Sequence, residues 1–219
     1  TVVSIRAYRK ISCARMAAVP KYVDKEARRR RIAAALQRVA AREGLEGVSI
    51  RTVAAEAELS VGAVQRDFAT KDELLHFALR ETVAAMAERF SRVRIGPRGL
   101  TFAEGLRAVL LDLLPADEER LANTRVWAAF YARATIAPEF ADVLAELDVL
   151  ARTALTAAVS HAEQEGELAS GLTVEDAVEL ILVLIDGVWL TAARQPPGTT
   201  LGAQRTAVDA AVTAITGSG

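Results

Sequence analysis

Apolar residues recur at helical spacing in one segment after another of this chain, and the gaps between segments carry caps and breakers. Ile32, Leu36, Val39 and Ala40 mark one face of a helix over about 24–42, and Gly44 is placed to end it. Ile50, Val53, Ala54 and Ala57 mark the buried face of a short second helix that Ser49 can cap. Glu58-Leu59-Ser60 makes a turn, with Leu59 plugging the angle between helices. Ser60 can cap a third helix, whose inward residues are expected to be Val61, Val64 and Phe68. Thr70 and Glu73 form a T-x-x-E capping box for a fourth helix over 71–93, along which Leu75, Leu79, Val83, Met86 and Phe90 keep the period.

Two short helices joined by a tight turn, with small or polar residues on the outer face of the second, form a helix-turn-helix pattern. Its physical use is to offer one helix end to the major groove of DNA. Ile95-Gly96-Pro97-Arg98-Gly99 then reads as a domain boundary. Five more helical segments follow, over about 102–114, 117–136, 138–165, 174–194 and 201–215. The segment 174–194 is apolar nearly all round and must be covered on both sides. With 201–215 it is expected to pack on its twin as a four-helix homodimer interface. The expected fold class is all-α. An N-terminal three-helix helix-turn-helix DNA-binding domain with its connector helix spans 24–94, and a C-terminal helical ligand-binding and dimerisation domain spans 95–219. Residues 1–23 carry five basic groups and no acid, and are expected to be a disordered arm, with 1–15 lying ahead of a start at Met16.

Composition narrows the function classes. At 52% hydrophobic residues the chain can bury a substantial core. Cys13 is the only cysteine, so no internal disulfide forms, which fits a cytoplasmic protein. His76 and His161 lie far apart, so no Cys/His metal site is expected. No nucleophile–base constellation points to an enzyme, and no cofactor is expected. Residues 1–90 carry 17 Lys and Arg against 11 Asp and Glu, whereas 91–219 carry 10 against 17. A basic front half joined to an acidic rear half suggests that only the first meets a polyanion. The longest apolar run, Leu180–Ala193, is interrupted by Asp186 and is too short to span a bilayer. Rival readings are a helical scaffold binding only protein, or a small-molecule-binding protein without DNA binding. The scaffold does not account for Ser60-Val61-Gly62 beside a basic arm.

Candidate DNA contacts are Arg51, Thr52, Ser60, Val61, Gly62, Ala63, Gln65, Arg66 and Lys71. Ser60, Gly62 and Ala63 are small enough for close approach to the groove. Gln65 suits adenine and Arg66 suits guanine. Lys71 sits among the free N–H groups of a helix start, where phosphate binds. The alternative for Arg51 and Arg66 is surface pairing with Glu56 or Asp67. Arg28 to Arg31 point about 100° apart in succession, so they cannot share one partner; one or two are expected to reach phosphate and the rest to be solvated or paired with Glu26 and its neighbours. Candidate ligand residues are Trp127, Phe130 and Tyr131 on one helical face, with Asp186 and Trp189. These fit a small apolar or cationic ligand, a quaternary ammonium in particular, through cation–π contacts. The same aromatic stripe also reads as core.

The set comprising Gly44, Ser49-Ile50, Val53-Ala54, Ala57, Leu59-Ser60, Gly62, Phe68 and Lys71-Asp72-Glu73-Leu74-Leu75 resembles the TetR family of bacterial transcriptional regulators. That resemblance implies a homodimer on a near-palindromic operator, released by a small molecule, with Lys71 on phosphate. Trp127, Phe130, Pro138 and the run Leu184–Leu190 are similar to regulators related to the choline-responsive repressor of betaine synthesis. Two departures stand out. Glu58 occupies a turn position where the family usually has Gly. Gln65-Arg66-Asp67 replaces the usual aromatic pair and His, and Asp67 as an anion would repel phosphate.

Overall fold

The computed structural model describes residues 20–90, 93, 95 and 99–217, with side chains from residue 25. These form nine α-helices: α1 (Pro20–Glu43), α2 (Ile50–Glu56), α3 (Val61–Gln65), α4 (Lys71–Phe90), α5 (Phe102–Asp112), α6 (Glu118–Ala134), α7 (Pro138–Gln164), α8 (Val174–Ala193) and α9 (Gly202–Thr216). A 3-10 turn at Leu45–Gly47 lies between α1 and α2. The all-α expectation holds, and so does each helical segment to within a few residues. The basic arm expected over 1–23 lies outside the described residues up to 19, and α1 begins at Pro20, four residues before the expected start.

The described residues divide into two compact units, 20–86 with 125–145 and 87–124 with 146–217. This differs from the single cut near residue 95 expected from the glycine and proline there. The physical reason lies in contacts made by 125–145 within the first unit. Phe130 stacks on Phe140 with centroids 6.2 Å apart, and His76 of α4 meets the edge of Phe140 at 6.2 Å. Arg133 binds Asp72 at 2.5 Å and lies over the Phe140 ring at 4.9 Å. No local pattern in the sequence announces these long-range pairs.

In the first unit α1 packs on α2, and α2 on α3. Ile32, Leu36, Val39, Val53, Ala54, Val64, Phe68, Leu74, Leu75 and Leu79 are buried there. Gln37 ties α1 to α4 by donating to Thr82 at 2.7 Å. The second unit has its own core of Phe102, Leu106, Leu110, Val159, Val178, Ile181, Val208, Val212 and Ile215. Its α5 packs against α9, and Glu167 accepts from the Phe102 N–H at 2.6 Å, holding the start of α5. Among the described residues no helix is long and apolar enough to cross a membrane.

The turn between α2 and α3 is a Schellman closure. The Leu59 N–H donates to Ala54 O at 2.9 Å and the Glu58 N–H to Ala55 O at 3.1 Å. This closure needs a left-handed residue, and Glu58 supplies it at φ 53, the one non-glycine residue with positive φ among those described. A side chain there costs about 1–2 kcal/mol. Its ion pair with Arg31 is exposed and offsets little. Glu58→Gly should therefore raise stability by about 1 kcal/mol. A urea midpoint that moves down instead would contradict the assigned strain.

Candidate nucleic-acid interface

The reading head is built from caps outward. Ser49 accepts from the Thr52 N–H at 3.0 Å, and the Ser49 N–H donates to Thr52 Oγ1 at 2.9 Å. Thr52 also donates to Gly47 O at 3.0 Å. Its hydroxyl is thus committed to the start of α2, which removes most of its capacity for the DNA contact expected of it. Ser60 caps α3 by accepting from the Ala63 N–H at 3.1 Å. Thr70 accepts from the Glu73 N–H at 3.1 Å, while Glu73 reaches one residue further than a standard box and accepts from the Ala69 N–H at 2.8 Å. Lys71 is thereby held in the first turn of α4.

The arginine run on α1 is a brace. Arg28 donates to both carboxylate oxygens of Asp67, at 2.7 and 3.0 Å. The Asp67 side chain is only 1% exposed. Its hydrogen bonds from Arg28 hold its carboxyl below the ordinary range, against the opposing effect of burial. Arg29 lies over the rings of Phe68 and Phe77, at 4.9 and 4.4 Å. Arg30 reaches Glu26 and Glu81, and Arg31 reaches Glu58. Four arginines a helical step apart each find separate partners within the protein, and the pairing of Arg30 with Glu26 is the one expected from the sequence.

The pair with Arg28 also fixes which way α3 faces. With Ala63, Val64, Asp67 and Phe68 turned inward, a helical step of about 100° puts Val61, Gly62, Gln65 and Arg66 on the opposite side. Two expectations are corrected by this. Val61, expected inward and also offered as a DNA contact, is 39% exposed, so only the inward reading is corrected, and Ala63 was expected against DNA but is 8% exposed. Asp67 is likewise no repulsive anion at the surface, because its charge is neutralised inside the head.

The expected competitors for the candidate contacts are occupied elsewhere. Glu56 accepts from Arg38 at 2.6 Å and Arg42 at 3.0 Å, and these bonds, Arg38 first, hold its carboxyl low. Asp67 belongs to Arg28. Among the described residues Arg51 and Arg66 therefore make no ion pair, and both are exposed, Arg66 next to Gln65 at the end of α3. Apart from its chain neighbours and its own helix backbone, no heavy atom lies within 4 Å of where a Cβ on Gly62 would sit, so the outer side of α3 is open to close approach. Unpaired donors on a braced, open helix face suit base edges and phosphates.

The proposed ligand residues are distributed differently. Trp127 is 7% and Phe130 0% exposed, so both serve the core of the first unit, while Tyr131 is 37% exposed. Trp127 and Tyr131 rings meet at 5.9 Å. Asp186 and Trp189 belong to the second unit, where Trp189 packs on the core around Ile181. Asp186 is exposed as a residue, yet desolvation of its carboxyl, and then Asp148, raises its pKa. The first unit has a cleft of ≈ 520 Å³ that the sequence did not suggest, lined by Arg29, Phe77, His76, Arg80 and Glu139.

A family profile described as bacterial regulatory proteins, tetR family, matches residues 32–77, and one described as BetI-type transcriptional repressor, C-terminal, matches residues 102–217. The chain belongs to the TetR family. It is 32% identical over 178 residues to the HTH-type transcriptional regulator PksA of Bacillus subtilis, covering 81% of this chain and 84% of that one. A transcriptional regulator from Rhodococcus sp. Rha1 has the same fold at TM-score 0.74 and 37% identity, over 85% of this chain and 95% of that one. A Saccharomonospora viridis regulator solved in complex with choline shares the fold at TM-score 0.70 and 21% identity, over 83% of this chain and 93% of that one. This TetR-family chain is a transcriptional regulator with a helix-turn-helix head, not an enzyme.

Proposed function

We propose that this regulator is a ligand-released repressor that binds a near-palindromic operator as a homodimer in the cytoplasm. The observation that carries the DNA side is that Arg51 at the start of α2 and Arg66 at the end of α3 are exposed and make no ion pair among the described residues, whereas Arg28 to Arg31 of α1 are all engaged. For the dimer, Leu180, Val183 and Leu190 of α8 are 40%, 66% and 52% exposed at helical spacing. On α9, Ala203, Ala207, Ala210 and Ala214 are exposed and small enough for close helix approach. Residues 174–194 and 201–215 then pair with their copies, with the recognition helices about 34–36 Å apart, one turn of DNA. Val183→Asp would set a charge into that apolar face in both copies. Sedimentation at micromolar concentration should find it monomeric where the parent is dimeric; a dimeric variant would move the interface elsewhere.

The ligand is a small cation or apolar molecule. The BetI-type match over 102–217 and the choline held by the Saccharomonospora viridis relative support a quaternary ammonium. Trp127 and Phe130 are core of the first unit, and Asp186 and Trp189 of the second unit stay candidate ligand residues. Such a ligand acts by favouring a head spacing that misses successive grooves, which requires a preference of several kcal/mol for that state. Gel shifts with the DNA flanking its own gene test the reading, with and without choline. A specific shift reversed by choline is the expected result. No specific shift would overturn the repressor, and a shift indifferent to choline and to larger apolar cations would overturn the ligand class.

A further inference from the structure

Val61 is the one large apolar side chain exposed among the described residues of α1–α4. An isolated exposed valine is ordinary by itself. Its position is not. It is the first residue of α3, capped by Ser60, and the residues sharing its outer face are Gly62, Gln65 and Arg66, all exposed. The first turn of a recognition helix is the part that meets base edges. Among the groups by which base pairs are told apart in the major groove, the C5-methyl of thymine is the one apolar group that stands out from the base edge, the rest being donors and acceptors. A lone apolar group amid donors therefore has one complementary base.

We infer that Val61 selects a thymine in each half-site by covering its methyl group, which deepens the DNA-binding reading above and rests on it. Three observations fix the geometry. The Arg28–Asp67 pair holds the inward face of α3 and so holds Val61 out. Gly62 leaves space for the helix to come close. Gln65 lies four residues on, on the same face, about 6 Å along the axis. Base pairs rise about 3.4 Å, so the thymine lies within about two base pairs of the position that Gln65 reads.

The test begins with the duplex that the full-length parent enriches from a random pool. Each thymine of both half-sites is then replaced by deoxyuridine, which removes only the methyl. At one thymine per half-site this should weaken binding about fourfold, and roughly fifteenfold when both half-sites are substituted. Val61→Ala should bind thymine and uracil duplexes equally, melt as the parent does, and keep its discrimination at the position lost in Gln65→Ala. A parent indifferent to uracil at every thymine, or a full uracil penalty retained by Val61→Ala, overturns the assignment. A thymine placed more than two base pairs from the Gln65 position also overturns it. Failure to enrich any sequence would instead overturn the DNA-binding reading on which it rests.

Discussion

Arg28→Ala should be the most damaging change among the head's charged residues, lowering stability by about 3 kcal/mol. The substitution leaves the Asp67 carboxylate, 1% exposed, without the guanidinium that pairs with it. Arg28 itself is 27% exposed, which places the loss at the lower end for a buried pair. For a chain of this size the melting temperature should fall by about 10 °C. Adding Asp67→Ala should recover part of the loss, because the unpaired charge is then gone. The pH dependence has a definite sign. Asp67 is held below its ordinary value, so its contribution is fully present above the ordinary 3.8 and is lost as pH falls through the lowered folded value. The stability gap between parent and Arg28→Ala should be widest above about pH 5 and narrow in acid. A gap that widens in acid would contradict the pairing.

The second large effect should fall on recognition rather than on folding. Arg66→Ala removes an exposed side chain without an ion pair among the described residues, so the fold should not change. It should cost about 1–3 kcal/mol of discrimination at one base pair per half-site. Lys71→Ala should behave differently. Held in the first turn of α4, it is placed for phosphate, and its loss should weaken all duplexes alike while reducing the salt slope by about one per subunit. The contrast can be read from anisotropy titrations over a range of salt on the enriched duplex and on a scrambled one. Equal losses on both duplexes for Arg66→Ala would reassign that residue to the backbone.

Much of this head is legible without coordinates because it is written locally. The caps Ser49, Ser60 and Thr70 each act within four residues of themselves, and Gly44 ends α1 at φ 72, so a linear reading finds them. The helical period likewise exposes Val53, Val64, Leu75 and Leu79 as core. What the period does not fix is the rotation of a five-residue helix, because so short a stripe tolerates either neighbour facing inward. That rotation is set by Asp67 and Arg28, 39 residues apart, and with it the exchange of Val61 for Ala63. A signal was present in hindsight: an acid where the family places a phosphate-contacting group, and an arginine run with more cations than its own helix can pair. The assignment of 125–145 to the head's unit was invisible for the same reason, since Asp72 and Arg133 meet across 61 residues. The aromatic stripe of α6 showed the opposite limit. Spacing alone cannot tell a core face from a pocket wall, and burial makes Trp127 and Phe130 core.

The central claim is a division of labour in which Arg28 to Arg31 hold the frame while Arg51 and Arg66 read DNA. The direct measurement is a pair of titrations with the double variant Arg51→Ala/Arg66→Ala on the enriched duplex and on a scrambled one, alongside its thermal melt. The expected result is an unchanged melt and a preference for the enriched over the scrambled duplex that falls by at least about tenfold, with only the share read by Gln65 and Val61 left. Parental affinity and preference in the double variant would contradict the account.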